Sequence, residues 1–268
     1  MKKKRVDELL VEQNLVADRA EALSYILAGK VFTTKETKIL TAGEKLVNNT
    51  QLYIKGQEKK YVSRGGLKLE EAIRTFNLQL QDKVILDIGA STGGFTDVAL
   101  KNGAKLVYAL DVGTNQLVWE LRNNEQVEVM EQTNFRYSKP KDFTKGLPEI
   151  ATIDVSFISL DLILPPLYPI LEMDGEVIAL IKPQFEANRE DIGEGGIVRD
   201  VKVYWEVLNN VLTFAQEEAF GLLDLTISPI TGSKGNVEFL AHLKKNKTSQ
   251  NKEKLIEHVL KKVSKIRN

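Results

Sequence analysis

Val84-Ile85-Leu86-Asp87-Ile88-Gly89-Ala90-Ser91-Thr92-Gly93-Gly94-Phe95-Thr96 decides the fold. An apolar strand ends in an acid, runs into a glycine-rich turn, and gives way to helical spacing. Glycines let backbone amides come close to a ligand, and open α/β sheets bind ligands outside the carboxyl ends of their strands. The turn reads Gly-x-x-x-Gly-Gly, not the GxGxxG that seats a pyrophosphate on a helix N-terminus. Asp87, just ahead of the first glycine, would meet the cationic amine of an amino-acid-bearing cofactor and repel phosphates. The segment fits S-adenosylmethionine and not NAD.

Outward from this turn the same alternation continues. Val84 to Ile88, Leu106 to Leu110, Val127 to Met130, Ile150 to Val155 and Val177 to Ile181 read as strands separated by helical patterns. Such alternation predicts a parallel sheet covered by helices, an α/β Rossmann-like domain. Pro165-Pro166 and Pro169 are expected to interrupt the helix after the fourth strand. Gly221 to Pro229 and Asn236 to Leu243 read as a terminal hairpin. Leu255, Ile256, Val259, Leu260, Val263 and Ile266 form an amphipathic stretch with lysines on its other side.

Upstream, Val6, Leu9, Leu10, Ala20, Leu23, Ile26 and Leu27 predict two short helices, broken near Leu15 to Asp18. Asp18 is the expected cap of the second and Gly29 its stop. Lys30 to Thr33, Lys38 to Leu40 and Gln51 to Ile54 read as short strands, with Gly43 and Asn48-Asn49 as turns. This is a small α+β unit over residues 1–60. A linker from Gln57 to Gly66, carrying Lys59, Lys60 and Arg64, precedes a helix from Leu67 to Phe76. The expected divisions are 1–60, 61–82, 83–243 and a basic amphipathic tail over 244–268.

With 268 residues, 43% of them hydrophobic, the chain can bury a real core. It contains no cysteine, which removes disulfides, thiolate metal sites and thiol nucleophiles. Two histidines, His242 and His258, cannot make an ordinary zinc site, so no metal is expected. No apolar run reaches the roughly 18 residues that span a bilayer, and Met1-Lys2-Lys3-Lys4-Arg5 leads into no apolar signal core. A cytoplasmic protein without stable membrane insertion is expected. Net charge is zero but segregated: 12 Lys and Arg face 8 Asp and Glu over 1–60, 13 face 25 over 81–243, and 9 face 2 over 244–268. Basic ends on an acidic body point to a polyanion partner.

Candidate chemistry lies at successive strand ends. Asp111 could accept both ribose hydroxyls of an adenosine, with Val112 beside it. Gln132 and Asn134 are placed for the adenine edge, with Phe135 as a ring neighbour. After Asp154 comes Val155-Ser156-Phe157, without the paired prolines usual in methylation of exocyclic amines. Methylation of a cytosine ring carbon normally needs a cysteine. A hydroxyl oxygen remains the best acceptor. Lys182, in Ile181-Lys182-Pro183-Gln184-Phe185-Glu186, is the candidate base, with Lys68 and the two carboxylates Glu186 and Glu238 expected around the same cleft.

Several of these segments resemble the TlyA family of ribosomal RNA methyltransferases, some of them labelled hemolysins, whose catalytic domain is of the FtsJ type. The resemblance rests on Ser63-Arg64-Gly65-Gly66-Leu67-Lys68-Leu69, Leu86 to Asp97, Asp154-Val155-Ser156-Phe157-Ile158-Ser159-Leu160, Ile181 to Glu186 and Gly196-Ile197-Val198-Arg199-Asp200. It implies a Lys68, Asp154, Lys182, Glu238 tetrad that methylates a ribose 2′-hydroxyl of ribosomal RNA with S-adenosylmethionine. Cofactor contacts are then expected from Asp87, Gly89, Ser91, Thr92, Gly93, Gly94, Phe95, Asp111, Val112, Asn134, Phe135 and Asp154. Arg5 to about Tyr53 resembles the alpha-L RNA-binding domain, with Arg5, Arg19, Lys30 and Lys35 on the expected RNA face and Arg64 in the linker. The expected partner is the ribosomal subunit. The tail after Leu243 lies outside the resemblance.

Overall fold

The computed structural model describes residues 3–13, 15–16, 18–48, 50–56, 60–232 and 235–267, with side chains described through 264. The expected turn residue Asn49 and the linker residues Gln57 to Lys59 lie outside the described residues. The chain divides into two compact units, Met1–Lys60 and Tyr61–Asn268.

The first unit contains β1 (Lys3–Arg5), α1 (Val6–Glu12), α2 (Arg19–Leu27), β2 (Val31–Thr33), β3 (Lys45–Val47) and β4 (Leu52–Ile54). Asp18 caps α2 by accepting the Glu21 N–H at 2.9 Å, and Gly29, at φ 65°, turns the chain out of it. β1 pairs with β3 and β2 with β4, both antiparallel. Each of these strands is three residues long, too short for periodicity to reveal β1 or β3. The strand expected at Lys38 to Leu40 is reduced to a single bridge between Lys38 and Phe32. Val6, Leu9, Leu10, Ile26, Val31, Ile39 and Ile54 meet in one small core. The Gln13 amide clips α1 to the ribbon, donating to Thr50 O at 2.8 Å and accepting from Leu52 N at 2.9 Å.

The second unit opens with α3 (Gly66–Phe76), β5 (Val84–Ile88), α4 (Gly94–Lys101), β6 (Leu106–Leu110), α5 (Trp119–Arg122), β7 (Val127–Met130) and β8 (Ile150–Ile153). It continues through α6 (Leu164–Ile170), β9 (Glu176–Ile181), α7 (Pro183–Glu186), α8 (Val201–Glu217), β10 (Phe220–Ile227), β11 (Phe239–Lys245) and α9 (Lys252–Arg267). Its seven strands lie in the order β10-β11-β9-β8-β5-β6-β7. β5 to β9 run parallel, β11 joins β9 antiparallel, and β10 at the edge pairs antiparallel with β11. The chain leaves β5 for β6 and β7 on one side, then crosses to β8 on the other. That reversal leaves the crevice at the carboxyl end of β5 uncovered by any crossover.

Two expectations are corrected here. The prolines do not interrupt the helix after β8: Pro165 and Pro166 stand in the first turn of α6, where the missing N–H has no partner to lose, and Pro169 lies within the helix. Nor is 244–268 a separate tail. β11 runs on to Lys245, and Ile256, Val259, Leu260 and Val263 of α9 are buried in the same core as α8 and β10, because an amphipathic stripe must cover an apolar face.

Candidate active site

Strand register assembles the centre. Phe239 pairs with Ile181, so Glu238 and Lys182 leave their strands at the same end of the sheet. Asp154 leaves β8 beside them. Lys68 comes from the first turn of α3, whose approach is fixed by two close contacts. Val62 N donates to the buried Asp97 carboxylate of α4 at 2.9 Å, and the Gly65-Gly66 backbone passes so close to Gly94 that a Cβ there would stand 2.9 Å from Gly66 N. Only glycine at 94 leaves that space.

The four side chains form one network. Lys182 Nζ lies 2.6 Å from Asp154 Oδ1, and Lys68 Nζ bridges Asp154 Oδ2 at 3.2 Å and Glu238 Oε2 at 2.8 Å. Lys68 and Lys182 are 8% and 7% exposed and Glu238 is 2% exposed, so their charges face little water. Burial alone would raise the Asp154 carboxyl, but the Lys68 and Lys182 ammonium groups outweigh it and hold the group below the ordinary range. Two cations against two anions make the cluster neutral, the condition under which buried charges are tolerated. Lys182 also bonds Ser156 Oγ at 3.0 Å.

Two clefts of about 460 and 510 Å³ meet at Gly89, Ser91, Asp154, Ser156 and Phe157. The first is lined by the tetrad with Arg64, Thr92, Gly94 and Phe95; the second by Asp111, Val112, Asn134 and Phe135. Gly89 has φ 86°, and a Cβ there would come within 2.6 Å of Asp154 O, so a side chain would close the junction. The second cleft is lined by the ends of β5 and β6 and the loops after β7 and β8, and the first has the ionic centre. Gly93 lines neither: at φ 97° it starts α4, and a Cβ would strike Leu121 and Leu117.

Some expected contacts are placed differently. Asp87 is 1% exposed and lines neither cleft. Its oxygens accept the hydroxyls of Thr96 at 2.7 Å and Thr152 at 3.1 Å, because Thr152 is its neighbour on β8 and Thr96 opens α4. Burial pushes this carboxyl up to about 7 against those two hydrogen bonds. Asp111 accepts Ser91 N at 2.8 Å and Gly113 N at 2.7 Å, tying the two strand-end loops together. Asn134 Oδ1 accepts Arg136 N at 3.2 Å, and Gln132, bonded to Thr114 Oγ1, is outside both clefts. Phe135 is buried and Val112 is 70% exposed at the rim.

Sequence reasoning also passed over residues that shape the centre. Gln184 Nε2 reaches Glu238 Oε1 at 3.3 Å, while Gln184 Oε1, buried at the cleft, has no hydrogen-bond partner among the described residues. An acceptor left this way calls for a donor from a bound molecule. Gly232 leaves room for Glu238: a Cβ would lie 2.0 Å from Glu238 Oε1. Glu131 braces the rim of the second cleft by accepting the N–H groups of Asn115, Gln116 and Leu117 and the Arg122 guanidinium. Together they outweigh burial and bring its carboxyl down to about 2. Phe157, at φ 62° and 90% exposed, stands at the mouth with its ring 4.8 Å from that of Phe185.

On the first unit the expected cationic residues divide. Arg5 and the exposed Arg19 both bond Asp7, at 2.8 and 2.9 Å, whereas the exposed Lys30 and Lys35 pair with no carboxylate among the described residues. The Arg5 hydrogen bond leads in bringing the buried Asp7 carboxyl down to about 2, with Arg19 adding to it.

The chain is 54% identical over 242 residues to "Putative rRNA methyltransferase YqxC" of Bacillus subtilis (strain 168), covering 90% of this chain and 86% of that one. It is 37% identical over 240 residues to "16S/23S rRNA (cytidine-2'-O)-methyltransferase TlyA" of Mycobacterium tuberculosis (strain CDC 1551 / Oshkosh), covering 90% and 89%. The solved structure titled "Putative hemolysin from Streptococcus thermophilus" superposes with a TM-score of 0.78 at 51% identity, covering 100% of this chain and 99% of that one. Residues 61–245 match the family described as FtsJ-like methyltransferase, and with two thirds of its length and its whole ionic centre inside that match, the chain belongs to this family.

Proposed function

We propose that this protein transfers a methyl group from S-adenosylmethionine to a ribose 2′-hydroxyl of ribosomal RNA. The observation that carries this reading is the linked row of Lys182, Asp154, Lys68 and Glu238 in a cleft that meets a second one of about 510 Å³ at Asp154. When bound, the cofactor supplies an electrophilic methyl group on a sulfonium. The residues of the chain do the rest.

A 2′-hydroxyl is a weak acid, and it reacts as a nucleophile when its proton is taken or the developing alkoxide is stabilised. Lys182, oriented by Asp154 and Ser156, is the group proposed to take that proton, as the neutral amine left once its own proton has passed to the Asp154 carboxylate 2.6 Å away. Lys68, held between Asp154 and Glu238, places a second cation where negative charge develops on the oxygen. Gln184 Oε1 accepts from a hydroxyl or amino group of the bound nucleoside. Phe157 offers an exposed ring at the entrance against which a nucleoside drawn out of its stack can rest. Arg5, Arg19, Lys30 and Lys35 of the first unit, with Arg64, provide affinity for phosphates, which the acidic body does not.

The hemolysin names among its relatives raise a lytic reading. No helix among the described residues is long and apolar enough to cross a membrane, and the apolar stripe of α9 is already buried in the core. Methylation is tested by incubating unmodified ribosomal subunits with the protein and S-adenosylmethionine and digesting the RNA to nucleosides for mass spectrometry. A nucleoside carrying the added methyl on its sugar is expected. A methyl found on the base would overturn the proposal.

A further inference from the structure

Among the described residues, the N-terminal unit presents a basic and aromatic face of which the proposed function uses only Lys30. The register of β2 and β4 sets Phe32 opposite Tyr53, and the bridge from Phe32 to Lys38 extends the row to a third segment. Opposed residues of an antiparallel pair project to one side, and residues two apart on a strand share that side. Val31, Thr33, Leu52 and Ile54 are buried and take the inner side. The Lys55 N–H donates to Lys30 O at 2.7 Å, which places these two lysines opposite one another at the next position of the outer side. Lys30, Phe32, Lys38, Tyr53 and Lys55 thus stand together.

The Phe32 and Tyr53 rings are 22° from parallel with centroids 5.6 Å apart, and Lys55 Nζ lies 5.7 Å from the Phe32 centroid. Lys38 folds back until its ammonium lies over Gly29, where a Cβ would come within 2.5 Å of it. All three lysines are exposed, and none pairs with a carboxylate among the described residues. Glu36 reaches the edge of the face, accepting the Tyr53 hydroxyl at 2.8 Å. A cross-strand aromatic pair stabilises a short ribbon by itself. Three mutually repelling ammonium groups around it do not, and a polyanion relieves that repulsion.

We propose that this face is a stacking site for unpaired nucleobases of the RNA substrate, with Phe32 and Tyr53 as the platform and Lys30, Lys38 and Lys55 on the flanking phosphates. Aromatic rings accept any base through its π-face, and neighbouring ammonium groups neutralise the backbone that carries it. The site rests on the reading of the protein as an RNA methyltransferase. It divides the labour within the first unit: the Asp7-held guanidinium pair meets phosphates, while the ribbon distinguishes a single-stranded loop from a duplex.

The probe is a stem-loop RNA with a loop of uridines, compared with a blunt duplex of equal length, both offered to the full-length chain. Ultraviolet irradiation and peptide mapping should find uridine joined to Phe32 or Tyr53. Phe32→Leu with Tyr53→Leu should weaken stem-loop binding about tenfold or more, the effect of losing a stacked base, and leave duplex binding unchanged. Cross-links confined to other residues, or equal losses for both RNAs, would overturn the site. The cross-link on the unaltered chain keeps the test decisive if the double variant fails to fold. Methylation of ribosomal subunits by the unaltered chain is measured alongside. Methylation without the cross-link defeats only the stacking site, and the cross-link without methylation defeats only the proposed reaction.

Discussion

Lys182→Met removes the proposed base while keeping a side chain of similar length in the cleft. At 2.6 Å from Asp154 Oδ1 the lost ammonium accounts for a gross attraction of about 6 kcal/mol at an effective dielectric of ~20. Most of that is offset by the desolvation the ion no longer suffers, and Asp154 keeps Lys68 at 3.2 Å. The net loss of stability should therefore fall below the 3–5 kcal/mol typical when a buried pair loses one partner, at ~2 kcal/mol. The rate effect is larger. A positioned base contributes about 10²–10⁴-fold, equivalent to ~3–5 kcal/mol of barrier. Transfer of labelled methyl to ribosomal subunits under single-turnover conditions measures the rate, filter binding measures RNA affinity, and thermal unfolding checks the fold. A hundredfold or greater loss of rate with RNA affinity within a factor of two is expected. A folded variant that retains a third or more of the wild-type rate would refute Lys182 as the base.

Asp87 predicts a pH dependence of stability. Its folded value is about 7 against ~3.9 in the unfolded chain. The folded state therefore holds the proton longer, and this stabilisation is complete below pH ~4 and lost as pH rises to ~7. The change is ~4 kcal/mol. Urea unfolding of Asp87→Asn across pH 4–7 should lack that slope. Asp7 has the opposite sign: its contribution is present above pH ~4 and lost as pH falls toward 2, ~1–2 kcal/mol after screening of its half-exposed arginine partners. Asp7→Asn should weaken RNA binding even though it adds a positive charge, because Arg5 and Arg19 are no longer held together; tighter binding in a salt titration would count against that. Gly66→Ala brings a Cβ within 2.8 Å of the Tyr61 ring and shifts the turn that carries Lys68, so turnover should drop at least tenfold with RNA affinity preserved. Ile256→Ala should cost ~2–5 kcal/mol in chemical denaturation, since Ile256 is fully buried, whereas a solvated tail residue would cost nothing measurable.

The sequence by itself determined the parallel strands, the glycine-rich turn and the candidate chemistry at the strand ends. These are local matters: a run of five residues that is wholly apolar in β6, and apolar but for Asp87 in β5, is enough for a strand buried on both faces, and glycines with acids mark where it ends. It also contained the four tetrad residues, legible by resemblance rather than by spacing, since 170 positions separate Lys68 from Glu238. Only the tertiary structure decided that they touch, because the antiparallel pairing of Phe239 with Ile181 and the approach of α3 to α4 are long-range contacts with no periodic signature. The same holds for Asp87, whose carboxylate turns inward because Thr152 and Thr96 arrive beside it from other elements, and for β1 and β3 of the first unit, whereas β2 and β4 were legible in the sequence. It holds for α9 as well. An amphipathic helix carries the same sequence pattern whether its stripe meets water, a membrane or a core, and the surface it buries against belongs to distant parts of the chain.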